Sequence, residues 1–149
     1  MKLIDTDETI LIVVGGGISA EERDRPLAYW LKNEIDRRGL GHPFRRAVVV
    51  SDAWYVQNRV FHLNPSVMIG GPGVNLGARE FAEKLPIVVA EGEQAFVQSG
   101  DVHEVPKVCL WGIDASGTAR AVRIFVEREL LSGLLDRIWR LRPDVGEYV

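Results

Sequence analysis

Thr9-Ile10-Leu11-Ile12-Val13-Val14-Gly15-Gly16-Gly17 is an unbroken apolar run that stops at three glycines. A strand with one wet face would alternate apolar and polar residues, and this one does not. Continuous aliphatics suit a strand buried on both faces of a parallel sheet. Three further short runs repeat the pattern. They are Arg46–Ser51, Ser66–Ile69, ending in Gly70-Gly71-Pro72-Gly73, and Lys107–Trp111, closed by Gly112. Helical spacing fills the gaps between them. Leu27, Trp30, Leu31 and Ile35 mark one helix, with Pro26 in its first turn and Gly39 and Gly41 at its end. On that reading residues 15–25 are a loop. A short helix covers Leu76 to Lys84. A long one runs from about Ser116 to Leu141, capped by Asp114 or Ser116 and stopped by Pro143. Ile87–Ala90, the turn Glu91-Gly92-Glu93 and Gln94–Gln98 read as an antiparallel hairpin.

Strands alternating with helices predict one α/β domain, a three-layer sandwich with a mostly parallel, Rossmann-like or flavodoxin-like sheet and an edge hairpin. The chain has 149 residues, enough for one core without metal or disulfide support. Its formal net charge is −3, which argues against nucleic acid or an anionic membrane as a general partner. Arg120, Arg123, Arg128, Arg137, Arg140 and Arg142 interleave with Glu127, Glu129, Asp136 and Asp144, the pattern of a solvated helix face. Met1–Glu8 is acidic and has no long apolar stretch, so neither a secretory signal nor a presequence is expected, and the expected location is the cytoplasm.

In sheets of this kind ligands sit beyond the carboxyl ends of the strands, where strand order reverses. The three glycine turns are therefore the first place to look for chemistry. Gly15, Gly16 and Gly17 would let the backbone approach an anion. The dinucleotide fingerprint needs a further spaced glycine, and Ala20-Glu21-Glu22 stands there instead. A tight strand-to-loop turn is the alternative. Gly70, Gly71 and Gly73 flank Pro72 and lead to Asn75, which either caps the next helix or reads a small ligand held in a backbone nest. After Gly112, Thr118 and Arg120 either cap the last helix or face an anion. Asp52, at the end of the second strand, is the one candidate for a general base or ribose reader, or is an ordinary turn residue.

Other reactive side chains are few. His42, His62 and His103 share no metal-ligand spacing. Cys109 lies between apolar neighbours, as a buried inert thiol would. Ser19 lacks the G-x-S-x-G setting of a nucleophile. Trp54, Tyr55, Arg59, Phe61 and His62 form an aromatic and basic segment that either stacks on a ring or covers the sheet.

The series Gly70-Gly71-Pro72-Gly73-Val74-Asn75, then a hairpin, then Trp111-Gly112 and Gly117-Thr118-Ala119-Arg120 resembles an α/β module of archaeal surface-layer proteins, over residues 66–126. The resemblance implies a structural role rather than an enzyme.

These observations predict a non-catalytic binding or protein-interaction module with no assigned cofactor. A nucleotide or phosphorylated-ligand binder, or an enzyme using the glycine turns, is the second reading. Leu131, Leu135 and Trp139 lie off the main apolar stripe of the last helix, so they are expected to form a homodimer or protein-partner contact.

Overall fold

A computed structural model describes residues 4–139. Its strands are β1 (Ile10–Val14), β2 (Ala47–Ser51), β3 (Ser66–Ile69), β4 (Ile87–Glu91), β5 (Ala95–Val102) and β6 (Val105–Gly112). Its α-helices are α1 (Ile18–Arg38), α2 (Asp52–Gln57), α3 (Leu76–Phe81), α4 (Ala115–Glu127) and α5 (Leu130–Ile138). The strands form one sheet in the order β2-β1-β3-β6-β5-β4.

β1 is inaccessible along its whole length because it is enclosed from four sides. β2 and β3 pair with it in parallel on its two edges. On one face Ile10, Ile12 and Val14 pack with Ala28, Leu31 and Ile35 of α1 and with the apolar faces of α4 and α5. On the other, Leu11 and Val13 pack with Tyr55 of α2 and with Ala78 and Phe81 of α3. Helices thus cover both faces, as the unbroken aliphatic run requires.

The expected mostly parallel sheet is instead mixed. β2, β1, β3 and β6 are parallel, and β5 and β4 continue the sheet in antiparallel sense. The hairpin around Gly92 exists, with β4 at the edge, but its return strand runs on to Val102 and turns again into β6. That second turn is His103-Glu104, both at positive φ (52° and 67°). Tight hairpin turns of this geometry favour Asn-Gly or Asp-Gly, so His-Glu carries no turn signal in sequence.

Two helices also differ from expectation. α1 begins at Ile18, so residues 18–25 are helical rather than a loop, and Pro26 lies inside the helix with an exposed ring. The buried stripe of α1 is Ala20, Asp24, Ala28, Leu31 and Ile35. An aspartate in that stripe hides its first turns from any apolar-periodicity test. The long C-terminal helix is two helices, broken where Glu129 takes the left-handed conformation (φ 62°). The last residues of the expected helix, through Leu141, and Pro143 lie outside the described residues. The break turns α5 so that Leu131, Leu134, Leu135 and Ile138 all reach the core.

One side chain joins the strand ends. Asn75 is 1% exposed and makes four hydrogen bonds. Its Nδ2 donates to the carbonyls of Val13 and Ile69, each at 2.9 Å, at the ends of β1 and β3. Its Oδ1 accepts from Gly77 N at 2.9 Å and Ala78 N at 3.2 Å, capping α3. Replacing Asn75 with Ala leaves the N–H groups of Gly77 and Ala78 without their acceptor and takes a second donor from the carbonyls of Val13 and Ile69, which keep their sheet bonds. Each unmet group costs about 1–3 kcal/mol, reduced where water enters. Urea unfolding of Asn75→Ala should show a loss of about 2–4 kcal/mol; a loss below about 0.5 kcal/mol would mean that the four bonds do not hold the strand ends.

Candidate functional site

β1, β3 and β6 are neighbours and parallel, so their glycine ends meet at one edge of the sheet. The chain itself fills most of that edge. A Cβ on Gly15 would stand 2.1 Å from the Val74 carbonyl oxygen, so only glycine lets the Gly70–Asn75 turn settle over β1. Gly70 has φ 106°, which turns the chain back across the strand ends. Asn75 then seals the space between β1 and β3, where strand order reverses. It caps and latches, and no polar group remains on it to read a ligand.

Asp52 belongs to the same latch. It is 5% exposed, and its Oδ1 accepts from Ala53 N at 2.7 Å and its Oδ2 from Leu76 N at 2.9 Å. Both oxygens are engaged, so Asp52 ties the end of β2 to α3. Its Oδ1 also lies 3.6 Å from where a Cβ on Gly16 would be. A phosphate at Gly16 and Gly17 would face that carboxylate and Glu21 in the first turn of α1. A Cβ at Gly17 or Gly73 would meet open space, so neither position requires glycine for close packing.

Arg120 faces Glu91 rather than a free anion. Its Nε and Nη2 donate to the two carboxylate oxygens at 2.7 and 3.1 Å, and Arg128 adds a third bond at 2.8 Å. These bonds hold the Glu91 carboxyl below its usual range and fasten α4 to the edge hairpin. Thr118 is buried, and its hydroxyl oxygen accepts from Gly112 N at 3.2 Å. Asp114 rather than Ser116 caps α4, accepting from Gly117 N at 2.8 Å.

Leu131, Leu135 and Trp139 do not form an exposed contact surface. Leu131 and Leu135 are 0% and 4% exposed, within the core cluster that includes Leu31 and Ile35. Trp139 packs against that cluster and donates Nε1–H to the Glu8 carbonyl at 2.7 Å. The stripe looked too wide for one core because two helices, rather than one, supply it.

The opposite sheet edge holds a second polar cluster. Lys107 is 1% exposed; its Nζ donates to the carbonyls of His62 (2.6 Å) and Asn64 (2.9 Å), to Tyr55 Oη (3.1 Å) and to Ser66 Oγ (3.2 Å). Burial pushes its amine down to about 7, while Glu80 draws it back up. Tyr55 and His62 stack at 4.4 Å, and Trp54 and Phe61 lie 4.7 Å apart. The aromatic segment therefore covers the sheet, with Lys107 pinning its backbone. Cys109 is buried among apolar atoms, which push its thiol up to about 12.

The glycine edge does hold an opening. A cleft of about 190 Å³ lies between the first turns of α1 and α4, over the ends of β3 and β6. Gly71 and Thr118 line it, with Arg23, Asp24, Val74 and Ile113; Gly15, Gly16, Gly17, Asp52, Gly70, Gly73, Asn75 and Arg120 do not. Asp24 is 7% exposed and receives no hydrogen bond or ion pair among the described residues. Burial raises its carboxyl from 3.8 to about 6, against the pull of Arg23. Sequence reading passed over Asp24 because it took residues 15–25 as a loop.

No protein-family model matches the chain, and no curated protein matches it.

Because Asp24 binds its proton more tightly in the folded chain than in the unfolded one, folding is favoured below about pH 3.8 and that advantage is lost as pH rises through about 6. At neutral pH the ionised carboxylate is a net cost. Each pKa unit is worth about 1.4 kcal/mol, less where the cleft admits water. Asp24→Asn should therefore raise stability at pH 7 by about 1–2 kcal/mol in urea unfolding, with the gain shrinking as pH falls from 6 towards 4. Destabilisation at pH 7 would show that Asp24 is held by partners in the fold.

Proposed function

We propose that the chain is a non-catalytic binding or protein-interaction module of the cytoplasm, and that its contact surface is the Asp24 cleft with the apolar residues around the glycine edge. One observation carries the reading. The polar side chains at the strand ends are engaged within the chain, while large apolar ones at the same edge stand in solvent. Ile18 is 81% exposed, Val74 54% and Ile113 66%. Apolar surface gathered beside a cleft is a feature of protein-interaction sites.

Four further points support the reading. The cleft of about 190 Å³ is smaller than the roughly 300–1,000 Å³ of drug-sized and cofactor sites. The N-terminus of α1 carries acidic groups where a nucleotide phosphate would lie. The likeness of residues 66–126 to a surface-layer module also favours a structural role. The first strands in the sheet, β2-β1-β3, have the order of a flavodoxin-like sheet, yet the crevice that holds the ligand in such sheets is filled here by the turn ending in Asn75. The expected partner is a protein, either another copy of the chain or a different polypeptide.

A thermal-shift screen with nucleotides, dinucleotides and sugar phosphates tests this directly. A ligand at about one hundred times its Kd adds about 2.7 kcal/mol of stability, a readily visible shift. No shift is expected from any of them. A shift that Gly71→Val abolishes would replace this reading with a ligand-binding one, since a side chain there presses on Trp111 at 3.1 Å and displaces the turn that lines the cleft.

A further inference from the structure

We infer that the cleft between the first turns of α1 and α4 receives an arginine side chain of a protein partner, whose guanidinium pairs with Asp24. The inference rests on the interaction-module reading and supplies the chemistry of what that surface holds.

A buried carboxylate without a partner is costly, and native structures keep few. Asp24 occupies a helix stripe whose neighbours one turn away, Ala20 and Ala28, are apolar and buried. An apolar residue would pack in that position without the cost. The carboxylate lines open space instead of meeting a protein donor. The charged groups facing that space are Asp24 and Arg23 from α1 and Asp114 from the turn between β6 and α4. Two acids and one base leave one negative charge in excess. Arg23 does not neutralise Asp24 by contact. It is exposed, forms no ion pair among the described residues, and adjacent helix positions do not face each other.

The occupant must therefore bring positive charge and hydrogen-bond donors. A guanidinium offers five donors in a planar fork that matches a carboxylate. It also keeps its charge when desolvated, where a lysine amine readily gives up its proton. Val74 and Ile113, both exposed, line the cleft and suit the methylene stem of the incoming side chain. The cleft volume fits one side chain. Arginine is among the residues enriched in protein interfaces.

The test is an amide-shift titration of the isotope-labelled full chain with acetyl-Gly-Arg-Gly-amide. The same peptide with citrulline, which has nearly the same shape and no charge, serves as control, and AMP forms a third arm. At neutral pH the arginine peptide should give saturable shifts at the amides of Asp24, Gly71, Gly112 and Thr118, and the citrulline peptide should not. Binding should weaken about tenfold or more at about pH 5, where Asp24 takes up a proton, and should vanish in Asp24→Asn. The pH arm uses the unaltered chain, so it decides the matter even if the variant does not fold. The absence of saturable shifts up to about 20 mM peptide overturns the inference. Equal binding of citrulline, or undiminished binding to folded Asp24→Asn, overturns it as well. Saturable shifts with AMP at the glycine turns would overturn the module reading itself; silence from both AMP and the arginine peptide removes only the inference.

Discussion

The amide of Asn75 is where the ends of the parallel strands are held together. Two carbonyls at the ends of adjacent parallel strands have a lone pair left beyond their sheet bonds, and two N–H groups at the start of α3 need an acceptor. One asparagine side chain meets all four. Asparagine can do this because its amide carries two donors and an acceptor in a fixed plane, which neither aspartate nor leucine can imitate. Everything nearby conforms to that placement. Gly15 is glycine because the turn lies on it, and Asp52 reaches across from β2 to hold the next N–H of α3. An open parallel sheet ordinarily leaves a crevice at this point; here the chain occupies it.

The consequence for chemistry is a displacement of the available site. With the space between β1 and β3 closed, a gap lies one strand over, at the ends of β3 and β6, and it is framed by α1 and α4 rather than by the glycine loops alone. Backbone glycines dominate the edge by number, yet they mostly permit close packing of turn against turn. The groups that line the gap include a buried carboxylate, the exposed Ser19 and Arg23, and aliphatic side chains.

The four parallel strands were legible because each is a short aliphatic run, three of them ending in glycine, and burial on both faces imposes that composition. The edge hairpin was legible from Glu91-Gly92-Glu93. The second hairpin was not, because His103 and Glu104 adopt positive φ without the residues that usually announce it. The break at Glu129 was hidden for the same reason: the apolar spacing continues through it, so sequence reads one helix where the core needs two. The cap roles of Asn75 and Asp114 could be read from residue type, and convergence of the glycine turns from the strand pattern. Whether Asn75 and Asp52 were latches or readers depended on which backbone groups lay opposite, and only the three-dimensional register supplies that. Asp24 was missed twice by one mechanism. A charged residue in an apolar stripe conceals the helix that carries it, and a residue assigned to a loop draws no attention as a buried acid. The stripe Ala20-Asp24-Ala28, read at a spacing of four, held the available signal.

The claim on which the rest stands is that the Gly70–Asn75 turn closes the sheet edge permanently rather than covering it as a movable flap. Native-state hydrogen exchange at the amides of Leu76, Gly77 and Ala78 measures this, since these three donate to Asp52 and Asn75. A latched turn predicts that they exchange only when the whole domain unfolds, with the same protection and denaturant dependence as the amides of β1 and β3. Exchange at these positions through local opening, well below the global unfolding free energy and insensitive to denaturant, would mean that the crevice opens in the native state and would contradict the account.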